Sequence, residues 1–240
     1  MRAFLAFLAL ALWAAEPWTP PEYTVFRTRG AIHLDGKLDE PSWFAAPDTG
    51  PLHFTWYESG KREQTVVKML WDADNLYVGL VAEDEYITAR HREHDGKVYE
   101  DDCFEIMIAP NPATPNVYFN VEWNMLGAYV DNHRPNGPKQ PRAPVWDAEG
   151  VAAMGTWDGT PNDHSDRDRY WITEVKIPLR NFAKVAGGIT KPGDRWHINL
   201  HRHGGEKNVQ YSQWSQGDTP KPMFHTPHRF GRITFSGDTK

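Results

Sequence analysis

Residues 99–108 read Tyr-Glu-Asp-Asp-Cys-Phe-Glu-Ile-Met-Ile, an aromatic ring and three acids running straight into an alternating segment. Successive side chains of a strand point to opposite faces, so Phe104, Ile106 and Ile108 share one face and Cys103, Glu105 and Met107 the other. The strand therefore carries one carboxylate, Glu105, opposite its aliphatic side, with Tyr99 just ahead of it in a polar loop. Two readings are open at this point. One is a half-buried strand behind an acidic turn. The other is a ring beside a fixed acceptor, the arrangement that stacks on the C–H face of a sugar while bonding its hydroxyls.

Working outward, Val117 to Asn124 alternates cleanly, with Val117, Phe119, Val121 and Trp123 opposed to Tyr118, Asn120, Glu122 and Asn124, and Leu126 to Asp131 continues it past a turn. In Arg195 to His203 the residues Trp196, Ile198 and Leu200 oppose His197, Asn199 and His201. Thr65 to Trp71 and Leu76 to Glu83 flank the turn Asp72-Ala-Asp-Asn75 and are apolar on nearly both faces, as central strands are. Further strands are expected at Tyr23 to Arg29, Ala31 to Leu34, Arg169 to Ile177, Val209 to Trp214 and Arg229 to Phe235. Asp35-Gly36 makes a turn, and a short helix starts near Leu38 with Asp39 as its N-cap and Pro41 in its first turn. A second helical turn starts at Pro178. Asn132 to Val145, with four prolines, reads as a long surface loop. Many strands with turns between them, a few short helical turns and no long helical period predict an all-β fold. The expected architecture is an antiparallel, jelly-roll-like β-sandwich.

With 240 residues, 40% of them hydrophobic, the chain can build a substantial core. A net charge of -6 argues against nucleic acid or an anionic membrane as partner. Eleven Trp, eleven Phe and nine Tyr are many for this length; most are expected in the core, and exposed ones suit flat ligands. Met1-Arg2 followed by the apolar run Ala3 to Ala14 reads as a cleaved export signal over residues 1–15, too short to span a bilayer. Residues 16–240 are then expected to form one secreted or periplasmic domain without a membrane anchor. The single Cys103 excludes an internal disulfide framework and suits a packed thiol.

Six spaced motifs resemble the family 9 carbohydrate-binding modules, over roughly residues 30 to 236. They are Ile32-His-Leu-Asp-Gly-Lys-Leu-Asp-Glu-Pro-Ser-Trp43, Leu70-Trp-Asp-Ala-Asp-Asn-Leu-Tyr-Val78, Asp102-Cys-Phe-Glu-Ile106, Trp171-Ile-Thr-Glu-Val-Lys-Ile-Pro178, Pro192-Gly-Asp-Arg-Trp-His-Ile-Asn-Leu200 and Phe224-His-Thr-Pro-His-Arg-Phe-Gly231. The resemblance implies a jelly-roll-like sandwich that binds a glycan without cleaving it, two rings clamping the sugars at the reducing end of a chain, in support of polysaccharide catabolism. The matching rings are Tyr99 and Phe224, and the matching acid is Glu105. Where the family places an arginine on the following strand, this chain carries Asn120. Glu122 and His201 are expected to assist through hydrogen bonds to hydroxyls, and Trp214 to be mostly structural. The family often holds structural calcium, for which Asp72, Asp74, Asp84, Asp101 and Asp102 are the oxygen donors available.

Other chemistries remain open on the residues alone. His197, His201, His203, His225 and His228 could approach one another around a metal. Haem-carrying domains of related sandwiches use axial Met and His, for which Met69, Met107, Met125 and Met223 are candidates. A glycosidase would need two of Glu105, Glu122 and Glu174 to face each other across a cleft.

Overall fold

The computed structural model describes residues 18–139 and 146–240, so the expected leader and part of the proline-rich segment lie outside the described residues. Among the described residues eleven strands form: β1 (Glu22–Arg27), β2 (Thr65–Trp71), β3 (Asn75–Glu83), β4 (Cys103–Ala109), β5 (Tyr118–Asn124), β6 (Tyr129–Arg134), β7 (Ala152–Asp158), β8 (Tyr170–Pro178), β9 (Arg195–His203), β10 (Tyr211–Gln213) and β11 (Gly231–Thr239). Two short helices, α1 (Pro41–Ala45) and α2 (Ala183–Ala186), accompany them. No helix among the described residues is long and apolar enough to cross a membrane.

The strands pair in the order β6-β5-β4-β9-β11-β1-β2-β3-β8-β7, with β10 added to β9. This ribbon folds back on itself into two layers around a shared core. Phe104, Ile106 and Ile108 of β4, Phe119, Val121 and Trp123 of β5, and Trp196, Ile198 and Leu200 of β9 contribute from one layer. Val67 and Met69 of β2, Val78 and Leu80 of β3, and Trp171 and Val175 of β8 contribute from the other. The inward faces are those the alternation assigns. Each fully buried Leu, Ile or Phe contributes about 1.5–3 kcal/mol. The layers are also tied by a buried hydrogen bond of 3.0 Å that the Trp123 indole donates to Thr173 Oγ1.

Several expectations need correction. The sandwich is not wholly antiparallel, because β1 runs parallel to both β11 and β2 where the ribbon turns from one layer to the other. Ala31–Leu34 forms no strand. That segment is held by single contacts instead: the His33 N–H donates to Glu40, and the N–H groups of Asp35 and Gly36 donate to Glu174. Gly36 has φ +79°, and a Cβ there would stand 2.8 Å from the Gly155 backbone, so the turn tolerates only glycine. Helix α1 begins at Pro41 with Glu40, not Asp39, in the cap position, and no side chain caps it. The expected loop from Asn132 is strand as far as Arg134, because β6 completes its ladder with β5 there.

Candidate functional site

The outward face of the β4–β5–β6 layer forms the floor of a cavity of about 310 Å³. Glu105 of β4, Asn120 and Glu122 of β5 and Asn132 and Arg134 of β6 line it. Antiparallel register sets Glu105 directly opposite Glu122, and Asn120 opposite Asn132. Strand alternation therefore delivers these polar groups to one side of the sheet while their neighbours fill the core.

Tyr99 and Phe224 line the same cavity from two different loops. Tyr99 sits in a 3-10 turn, Val98–Glu100, pinned from below by buried Val98. The acids that follow act as clamps on backbone. Asp101 accepts from the His91 N–H and the Asn124 side chain, and Asp102 accepts from the N–H groups of Thr88 and Gly205. Tyr99 itself is about half exposed, at 47%. Phe224 lies in the Pro222–Pro227 loop, stacked on the His201 ring at 4.2 Å between centroids and edge-on to Tyr211 at 6.0 Å. Tyr211 in turn stacks flat on His203 at 4.9 Å, and His203 hydrogen-bonds the backbone of Tyr99. A continuous aromatic shelf thus joins the two rings.

The electrostatics of the floor follow from burial. Glu105 is held well above the usual carboxylate range, first by desolvation and then by the neighbouring Glu122 charge, while Arg134 and a hydrogen bond from Asn120 pull the other way. Cys103, buried as expected, donates to Glu122 Oε1 at 3.0 Å. Burial, and after it Glu122, pushes its thiol well above the ordinary range. The Asn120 side-chain oxygen and Arg134 Nε are buried without a hydrogen-bond partner, and both belong to residues lining the cavity. A floor of acceptors and donors between apolar rings, part of its bonding capacity unused, is suited to a small polyhydroxylated ligand.

The structure thus brings Tyr99, Phe224, Glu105, Asn120 and Glu122 together. His201 is placed differently: it has no accessible surface and lies beneath Phe224, supporting the wall instead of lining the cavity. Arg134 is the residue that sequence reasoning missed. A guanidinium does reach this floor, from β6 and not from the position of Asn120. Its signal was its even spacing with Val130 and Asn132, obscured by the prolines that follow.

Of the three candidate glycosidase acids, Glu105 and Glu122 stand side by side on adjacent strands and Glu174 lies apart from them. Glu174 is fully buried on β8, accepting from Trp43 Nε1 and the N–H groups of Asp35 and Gly36, and does not meet Glu105 or Glu122. The five histidines do not converge: His203 stacks on Tyr211, His225 bonds the Tyr118 hydroxyl at 2.8 Å, and His228 pairs with Asp218. His197 of that group is paired across the sheet with Arg232. Met69, Met107 and Met125 fill core space, while Met223 lines the cavity. Of the expected calcium donors, Asp72 is used by its own turn, accepting from Asp74, Asn75 and Tyr77. Asp84 is paired with Arg202, and Asp101 and Asp102 hold the Tyr99 loop. Trp214 is buried in the core, as expected.

Comparison with known proteins gives the following. A model of carbohydrate-binding family 9 matches residues 52–235. No curated protein matches the chain. Among solved structures, a candidate carbohydrate-binding protein from Bacteroides uniformis superposes with a TM-score of 0.75 at 19% identity, covering 91% of this chain and 100% of that one. A family 9 carbohydrate-binding module from Caldicellulosiruptor kristjanssonii in complex with cellotriose superposes at 0.61 and 15% identity, covering 90% and 94%. The glucose complex from the same organism superposes at 0.62 and 15% identity, covering 90% and 96%. At these identities the neighbours speak to the fold.

Proposed function

The chain belongs to carbohydrate-binding family 9, and we propose that it binds an oligo- or polysaccharide non-covalently in the cavity between Tyr99 and Phe224. The observation that carries this reading is the convergence of Glu105, Asn120, Glu122 and Arg134 on one floor flanked by those two rings. Tyr99 and Phe224 stack on the C–H faces of sugar rings. Asn120 and Arg134 offer donors, and the two glutamates offer acceptors to hydroxyls. Arg134 takes the part of the arginine that the family pattern led one to expect on the neighbouring strand.

A cavity of about 310 Å³ is at the small end of ligand pockets, which favours the end of a glycan chain over its middle. The family 9 modules of similar fold in complex with glucose and cellotriose support a sugar as the ligand. The role is binding in support of glycan breakdown by other proteins, in an extracellular or periplasmic setting. Members of the family are binding modules without catalysis; Glu105 and Glu122 stand side by side on adjacent strands of one floor, and Glu174 is engaged elsewhere. Calcium in a structural place is compatible with this role and is not required by it.

Calorimetric titration with cello-, xylo- and manno-oligosaccharides, each alongside its borohydride-reduced form, tests the proposal. Heat with one native series and none with its reduced form is expected. Equal heat with both forms would overturn chain-end recognition, and none with any glycan would overturn the binding reading for these ligands.

A further inference from the structure

On the opposite face of β6 from the cavity, a second group of side chains gathers with no part in the proposed sugar site. We propose that His94, Asp131 and Asp147 form a binding site for a divalent cation of zinc-like character, stapling the loop that leads to Tyr99 onto the sheet edge.

Three chain segments meet there. His94 comes from the loop before the Tyr99 turn and rests against Tyr129, their centroids 4.3 Å apart. Asp131 is on β6, and Asp147 lies in the segment that returns toward β7. One ligand-capable atom from each lies within 4.8 Å of the other two. From His94 Nε2 the distances are 3.3 Å to Asp131 Oδ2 and 3.6 Å to Asp147 Oδ1. A charge-assisted N–H···O bond is usually about 2.7–2.9 Å, so the His94–Asp131 hydrogen bond at 3.3 Å is a long one and the Asp147 contact is longer still. Around a tetrahedral zinc with bonds of about 2.0–2.2 Å, neighbouring ligand atoms stand about 3.3–3.6 Å apart.

An independent observation also points to an absent partner. The Asp131 side chain is 1% exposed, yet its Oδ1 has no hydrogen-bond partner. A buried carboxylate oxygen left bare is costly, and a cation is one of the few groups that compensates it. Its other oxygen, Oδ2, receives the Ala148 N–H at 3.3 Å and bonds the His94 imidazole at 3.3 Å, which orients the carboxylate. Asp95 Oδ1, 3.6 Å from the same imidazole nitrogen, adds negative charge on the flank. The donor set of one imidazole and two carboxylates chooses the metal. Calcium takes six to eight oxygens, whereas zinc accepts nitrogen and oxygen together and completes its four positions with water.

The test is titration of metal-stripped, untagged full chain with zinc chloride and, separately, calcium chloride, read by calorimetry and by thermal unfolding. Wild type is expected to take one equivalent of zinc tightly enough to survive dialysis, and to unfold at higher temperature with it. His94→Ala and Asp147→Asn, both at partly exposed side chains, should weaken that binding at least tenfold and lose the zinc-dependent rise in unfolding temperature. They should keep the wild-type fold by circular dichroism. Zinc binding unchanged in both variants would place the metal on other histidines and overturn the proposal. So would the absence of zinc binding with lower stability of the variants, which is the ion-pairs-only outcome, or a preference for calcium.

Discussion

The Phe224 ring lies nearly flat on the His201 imidazole, centroids 4.2 Å apart and planes 22° apart, and closes it off from solvent. Neither nitrogen of that imidazole finds a hydrogen-bond partner. One side chain thus serves as a wall of the cavity and as the lid of a buried polar group, while the opposite wall, Tyr99, stands free of such duty.

The two walls should therefore differ in stability when removed. Tyr99→Ala, at a half-exposed ring, is expected to change unfolding free energy by no more than about 0.5 kcal/mol. Phe224→Ala opens a void over His201 and beside Tyr211, and should cost about 2–4 kcal/mol. Urea unfolding of both variants measures the contrast.

His201 predicts an acid limb. Burial, and after it the charge of His225, holds its pKa well below the ordinary histidine value of about 6.5. The unfolded chain then binds a proton that the folded chain refuses, so stability is full above the unfolded value and falls as pH drops below it. His201→Phe keeps a ring under Phe224 and carries no charge. Unfolding temperatures measured from pH 7.5 to 5 should decline less steeply in that variant than in wild type.

Glu105 predicts the opposite slope. Desolvation, then Glu122, raises its pKa in the folded state, so the folded chain keeps a proton that the unfolded chain loses above about pH 4.3. Its contribution is greatest below that pH and declines as pH rises toward the raised folded value. Asp102 and Glu63 share this direction, so the difference between Glu105→Gln and wild type isolates the site. The variant should gain stability relative to wild type as pH rises from 4.5 to 8, read by denaturant unfolding at each pH.

Arg202 is expected to matter more for stability than any group of the cavity. Its guanidinium is fully buried, 2.8 Å from Asp84, and donates to the carbonyls of Glu63 and Glu83 at 3.0 and 2.7 Å. Arg202→Met leaves Asp84 and Glu63 buried without their cation. A loss of about 3–5 kcal/mol in urea unfolding is expected, with Arg202→Lys recovering only part of it because one ammonium cannot reach all these acceptors.

Much of this arrangement was legible in the residues. Period-two alternation in β4, β5 and β9 told core from cavity side correctly, since a strand with one face buried has little freedom of register. The meeting of Tyr99 with Phe224 was implied only by family resemblance, because 125 residues separate them and no local pattern encodes such a contact. β7 went unread: Ala152, Ala153 and Gly155 carry no hydrophobic alternation, and the strand exists because β8 offers it a free edge. Ala31–Leu34 was over-read for the converse reason, its residues being strand-like while its backbone pairs with no strand. The parallel pairing of β1 is a matter of topology, which composition does not express. Arg134 was hidden by the prolines after it, and the burial of His201 by a loop residue 23 positions away.

The central claim is that the Tyr99–Phe224 cavity holds the sugar. The most direct test titrates cellotriose into wild type and Tyr99→Ala side by side, since that substitution should leave the fold intact. Saturable one-to-one binding in wild type, weakened at least tenfold (about 1.4 kcal/mol) in the variant, is the predicted result. Equal affinity for the two proteins would contradict the account, placing the sugar elsewhere on the sandwich.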